Sequence, residues 1–183
     1  MKIKTKDMIL VAFFTALTAA GGFIKIPVGP VPITLQYLFT ALSGVLLGPF
    51  LGSLSQLLYV ILGLLGIPIF AGGGGLSYIF DPSFGYLIGF IVAPYVIGKI
   101  LAQAKAPCFF KIFLASIVGV VIIYIIGVPY MFIILNNVLN ISITLEKAIK
   151  IGFLVFIPGD LIKSIAVALL GIRIIPAIKR LNS

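Results

Sequence analysis

The chain has 183 residues, 62% of them hydrophobic and 9% charged, with a mean hydropathy of +1.32 and a formal net charge of +9. A chain this apolar cannot keep its surface in water, which excludes a soluble globular protein. At about 20 residues per helical span, its length allows roughly six spans and leaves no soluble remainder.

The sequence therefore predicts an all-α integral membrane protein, a six-transmembrane-helix bundle forming a single domain over residues 1–183. A closed barrel is the other way to satisfy backbone groups in lipid, but it needs alternating apolar and polar residues. Runs such as Ile112–Ile126 are continuously apolar.

The first span is expected from about Asp7 to Ile24. Lys2, Lys4 and Lys6 precede it and Ala19-Ala20-Gly21 lies near its end, a pattern shared with signal peptides. The topology needs this run as a span. Lys25–Pro32 carries Pro27, Pro30, Pro32 and Gly29 and predicts a stiff, non-helical loop. Thr34 is placed to cap span two, about Leu35 to Gly48. Gly48-Pro49 breaks the helix, and span three runs from about Phe50 to Ile67. Pro68-Ile-Phe-Ala-Gly72-Gly73-Gly74-Gly75 is the stretch with the greatest backbone freedom.

Span four covers about Ser83 to Ile100. Span five covers about Phe109 to Leu135, with a distortion expected at Gly127 and Pro129. A polar connection follows, with Asn136, Asn137, Asn140, Ser142, Thr144, Glu146, Lys147 and Lys150. Pro158-Gly159-Asp160 then interrupts an apolar run before span six, about Leu161 to Ile178.

Six spans put both termini on one side. With that side cytoplasmic, Lys2, Lys4, Lys6, Lys99, Lys105, Lys111, Arg173, Lys179 and Arg180 fall inside, against Lys25, Lys147 and Lys150 outside. This is the positive-inside pattern. The positive charge is thus read as membrane-flanking, and no nucleic-acid motif accompanies it. Cys108 cannot form an internal disulfide, and reads as an ordinary small residue near the cytoplasmic face.

Asp160 and Lys163 stand in an otherwise apolar stretch, three residues apart on one helix face. Ionisable groups at membrane depth usually pair or face a polar cavity. The other reading is an N-cap at Asp160 with Lys163 snorkelling to the surface. Gln56 lies on a stripe with Gly52, Tyr59 and Gly63, which either lines a polar pocket or packs through an interhelical hydrogen bond. The glycine run with Ser77, Tyr78 and Tyr86 is either a ligand loop or a connector. Ala12, Ala16 and Ala20, and Gly44, Gly48 and Gly52, repeat at a spacing that lets helices approach closely.

The absences narrow the chemistry. No His is present, which removes Ser-His triads and His-ligated metals. Four acidic residues leave little for two-carboxylate catalysis, and no ATPase motif occurs. An enzyme is not expected, nor a cofactor or metal.

Several segments together resemble a known family. They are Phe23-Ile-Lys-Ile-Pro-Val-Gly-Pro-Val-Pro-Ile-Thr-Leu-Gln36, Leu47-Gly-Pro, Ser53-Leu-Ser-Gln56-Leu-Leu-Tyr59, the Pro68–Gly75 run, Gly85-Tyr-Leu-Ile-Gly-Phe90 and Phe156-Ile-Pro-Gly-Asp160-Leu-Ile-Lys163. In order and spacing they resemble BioY, the biotin-binding S component of energy-coupling-factor (ECF) transporters. The resemblance implies the six-helix S-component fold, a biotin pocket near the outer face of a bacterial cell membrane, and ATP-driven uptake. Its implied partners are biotin, one transmembrane coupling protein and two ATPase subunits.

The resemblance further implies that Gln56, Asp160 and Lys163 contact biotin and that Ala12 and Ala16 dock the coupling protein. In some members an Asn in the glycine-rich region and an Arg in span four hold the biotin carboxylate. Here those regions offer Ser77, Tyr78 and Tyr86, and span four has no Arg. Asp81 before Pro82 is a further departure. An S component for another small vitamin or a biotin precursor, or a stand-alone ion-coupled carrier using Asp160, are the alternatives.

Overall fold

A computed structural model describes residues 4–103 and 108–181. Lys2 and Lys105, counted above, lie outside the described residues, as do the side chains of Lys179 and Arg180. Among the described residues, five helical stretches are long and apolar enough to cross a membrane. Their outward faces carry Ile9, Phe13, Phe50, Ile61, Ile125, Ile133 and Ile162, all exposed. Such a surface suits lipid, where a helix can be apolar all round.

Helix α1 spans Thr5–Phe23. Its first turn is held by the Asp7 carboxylate, which accepts the Lys4 N–H at 3.0 Å. A negative group at a helix N-terminus is favourable. The loop predicted after it is a small antiparallel ribbon, β1 (Lys25–Ile26) and β2 (Ile33–Thr34), with Lys25 opposite Thr34.

Helix α2 runs Gln36–Leu64 but is non-helical at Gly48, where φ is +81°. Glycine tolerates that backbone, and Pro49 starts the next turn with its φ already helical. The two halves fold back on each other. Thr40 Oγ1 donates to Gln56 Oε1 at 3.1 Å, and a Cβ on Gly52 would sit 3.0 Å from the Gly44 Cα. In a straight helix residues 40 and 56 would be about 24 Å apart. The Gly44 and Gly52 spacing noted in the sequence is thus the close-packed seam of a helical hairpin.

The glycine-rich stretch carries specific hydrogen bonds. Gly75 N–H donates to the Gly63 carbonyl at 2.7 Å, and Phe70 pairs with Gly73. The Phe70 ring lies buried over Gly63, where any Cβ would overlap it. A short 3-10 turn, Leu76–Phe80, leads to α3, Phe84–Ala102.

Helix α4, Phe109–Asn137, is continuous through Gly127 and Pro129, where a distortion was expected. Gly127 is needed for another reason: the Tyr86 ring packs directly on it. Cys108 is exposed at the start of α4, and a hydrogen bond from the Lys111 amide holds its thiol pKa below the ordinary value. The polar connection contains α5 (Leu145–Ile149), capped by Thr144 Oγ1, and one wide π turn, Lys150–Leu154.

Helix α6 spans Ile157–Leu181, beginning four residues before the predicted Leu161. The Asp160 N–H bonds to the Phe156 carbonyl at 2.9 Å. Asp160 is therefore inside the first turn, and its side chain is free of the N-cap role.

Helices α1, α3 and α6 pack around the α2 hairpin, and α4 packs on α3 and α6. Gly44 lies against Pro94, Gly98 against the Gly48–Pro49 turn and Gly89 against Ile123. Gly98 thereby brings the α3 end near Lys99 to the end where α2 turns, and Gly171 against Val45 and Ile112 brings the ends near Arg173 and Lys111 there. Gly21 against Gln36 leaves the Lys4 end of α1 on the same side. The ribbon, the glycine-rich turn and the start of α6 meet at the opposite end.

Candidate functional site

At that opposite end a cavity of about 60 Å³ opens between the ribbon, α2, α3, α4 and α6. Val31, Phe90, Val120 and Ile123 give it apolar walls, and Tyr37, Tyr78, Tyr86, Tyr124 and Phe156 add aromatic ones. Its charged floor is Asp160 with Lys163, both buried.

The Lys163 ammonium lies 2.6 Å from Asp160 Oδ1. Three residues of α-helix place the two side chains on one face, as the sequence predicts. Lys163 Nζ also donates to the Thr34 carbonyl at 3.1 Å and lies 5.7 Å from the Tyr37 ring centre. Tyr124 donates its hydroxyl to Asp160 Oδ2. A buried charge is costly unless paired and hydrogen-bonded, and both conditions are met here. Neither group is used up. An ammonium has three donors and a carboxylate about four acceptor sites.

Gln36 stands beside this pair in the cavity wall. Its amide donates to the Tyr59 hydroxyl and accepts from Thr34 Oγ1 at 3.0 Å. The hydroxyl of Tyr59 in turn donates a hydrogen bond to the Ile69 carbonyl at 3.1 Å. On the far wall, Tyr78 OH is 2.9 Å from Ser83 Oγ, which donates to Asp81 Oδ1 at 2.5 Å. Burial pushes the Tyr78 hydroxyl pKa upward, while its hydrogen bond to Ser83 works the other way. Asp81, a departure from the expected motif, thus braces a cavity-wall tyrosine through Ser83.

The sequence-predicted residues separate into four groups. Asp160, Lys163, Tyr78 and Tyr86 line the cavity together. Ser77 is exposed and not in the lining. Gln56 is fully buried away from it, donating to Thr18 Oγ1 and Ser55 Oγ at 3.1 Å each and accepting from Thr40. Ala12 and Ala16 are exposed on the outer face of α1.

Gln36, Tyr37, Tyr124 and Thr34 also line the cavity, and the sequence alone does not mark them as site residues. Tyr124 had a legible signal, a phenol midway along an unbroken apolar span that needs a partner. Gln36 follows a loop of prolines directly into a span, and its side chain faces inward. Gly22 allows this, since a Cβ there would meet Gln36 Nε2 at 3.0 Å.

Comparison with known proteins assigns the chain to a family. The BioY family matches residues 1–180. The chain is 44% identical to the probable biotin transporter BioY of Lysinibacillus sphaericus over 93% of its own length and 87% of that protein's. It is 42% identical to the biotin transporter BioY of Thermotoga maritima, covering 92% of this chain and 95% of the relative. Among solved structures it is similar to the S component for biotin from an ECF-type ABC transporter. That match has a TM-score of 0.81 and 33% identity, over 92% of this chain and 90% of the other. The chain belongs to the BioY family.

Proposed function

We propose that this chain is the biotin-binding subunit of an ECF-type transporter, capturing biotin in the cavity at the Asp160 end. The observation that carries this is the paired Asp160 and Lys163 in an otherwise aromatic and aliphatic cavity. The ureido ring of biotin offers two N–H donors and one carbonyl acceptor. Asp160 has spare acceptors for the N–H groups, and Lys163 has a donor for the carbonyl. The bicycle and valeryl chain pack on Phe90, Tyr86 and Phe156. Named homologues and a structural neighbour that handle biotin support the same substrate. The chain is a transport subunit and not an enzyme.

The cavity is smaller than the roughly 300 Å³ at which small-molecule sites begin. Capture therefore involves outward movement of the ribbon or of the 67–83 segment, the parts of the lining between spanning helices. Gln56 acts through packing, and Gln36 takes the polar position beside the ureido ring. Ser77 plays no direct part.

Counted as two passes, the α2 hairpin brings the helices to six and puts both termini on the basic, cytoplasmic side. The cavity then faces outward. The exposed face at Ala12 and Ala16 receives the transmembrane coupling protein, whose two ATPase partners supply the energy. Ala12→Trp is expected to leave biotin binding intact and to weaken association with the ATPase module. Loss of both together means the face is packed within the bundle, and loss of neither removes the docking role.

The whole reading is tested by uptake of labelled biotin in cells carrying the chain and its transporter module. Uptake should survive collapse of the proton gradient while ATP is maintained, and stop on ATP depletion. The opposite pattern favours an ion-coupled carrier. For topology, a cysteine at Lys4, introduced after replacing Cys108, should resist an impermeant thiol reagent in intact cells.

A further inference from the structure

The pair on the cavity floor is internally neutral, so it offers no net charge to a ligand's acid group. Lys25 supplies what is missing. The antiparallel ribbon sets Lys25 directly opposite Thr34. Side chains of directly opposed residues share one face of a ribbon, and Thr34 lines the cavity. Lys25 is itself exposed and outside the lining, and its Nζ donates to the Ala71 carbonyl at 2.5 Å. Ala71 belongs to the cavity lining.

Two separate observations, the register and the tether, therefore put one ammonium at the cavity mouth. Asp160 is paired with Lys163, and among the described residues Lys25 has only a neutral carbonyl as its partner. That carbonyl takes one of three donors and leaves two. It also holds a flexible side chain in place before any ligand arrives, which reduces the ordering cost of binding.

We propose that Lys25 is the residue that recognises the ligand's carboxylate, and that it makes the site selective for the free acid over its neutral derivatives. This rests on the biotin reading of the cavity. The ureido ring sits on Asp160 and Lys163, and the valeryl chain runs to the mouth. The carboxylate there takes a charge-assisted hydrogen bond from Lys25, which bridges the ribbon and the glycine-rich turn. Neither Asn nor Arg in the positions used by some relatives is then required.

The experiment measures binding of biotin and of biotin amide, the same molecule without the negative charge, to purified wild type, Lys25→Met and Lys25→Arg. Wild type should prefer biotin. Lys25→Met should lose about tenfold or more in biotin affinity and leave the amide nearly unchanged, so that the preference collapses. Lys25→Arg should keep it. An equal loss for both ligands in Lys25→Met overturns the proposal, because Lys25 is then only a tether for the 67–75 turn. An unchanged preference in Lys25→Met overturns it as well. Wild type that binds neither ligand refutes the biotin reading itself, a result distinct from both.

Discussion

Two of the buried polar clusters among the described residues differ in what they have left to give. The first joins α1 to the two halves of α2. Gln56 there spends both amide hydrogens on Thr18 and Ser55 and accepts from Thr40, while Thr15 donates to the Ser55 carbonyl at 2.8 Å. Every member is neutral and satisfied within the chain. The second cluster is Asp160, Lys163, Tyr124, Gln36 and Thr34. It carries full charges, keeps unused donors and acceptors, and opens into a cavity. Polar residues at membrane depth are expensive in either case. A satisfied node fixes helix packing, and only an unsaturated one is equipped to bind.

That difference is open to direct attack. The largest effect is expected from Asp160→Asn, which removes the carboxylate from the buried pair. Biotin affinity should fall by about 1.5–3 kcal/mol, the range for a hydrogen bond to a charged group. Glu146→Gln, at an exposed position on α5, should leave affinity unchanged. Equal affinities in the two variants place Asp160 outside the binding site.

A smaller effect is expected from Tyr124→Phe. Asp160 then loses one donor but keeps Lys163, so affinity should drop by about 1 kcal/mol. No change in titrations of this variant assigns the hydroxyl to fold stability alone.

Gln56→Leu sharpens the comparison from the other side. Interhelical hydrogen bonds in membranes average about 0.6 kcal/mol. Thermal stability in detergent should fall by about that order, with the biotin affinity of the folded protein unchanged. A loss of affinity with unaltered stability would move Gln56 from the packing node into the site.

The sequence displays the spans well because lipid leaves a chain few choices. Apolar runs of the right length, Gly48-Pro49 and the proline loop all mark their boundaries. It misses by small physical margins elsewhere. Pro158 and Gly159 look like a break before span six, yet proline is tolerated in a helix's first turn, so α6 begins at Ile157. Pro129 looks like a kink, yet α4 passes through it unbroken.

The site is harder to read. Asp160 and Lys163 declare themselves, since charges in apolar runs are rare. Gln56 and Gln36 are chemically identical, and each sits at the polar face of one half of α2. Which of them reaches the cavity is decided by the hairpin at Gly48, which sets Gln36 beside Tyr59 and Gln56 beside Thr40. That is a tertiary fact with no local signature. Ser77 lies outside the cavity lining for a similar reason: in the 3-10 turn, Tyr78 is buried and its neighbour exposed.

The central claim, that the unsaturated Asp160–Lys163 cluster is a biotin site, is tested most directly by calorimetry on purified, folded protein without nucleotide. Titrating biotin into wild type and Asp160→Asn should give a saturable heat for wild type and a markedly weaker isotherm for the variant. A folded wild-type sample that gives no heat, or a variant that binds as tightly as wild type, contradicts it.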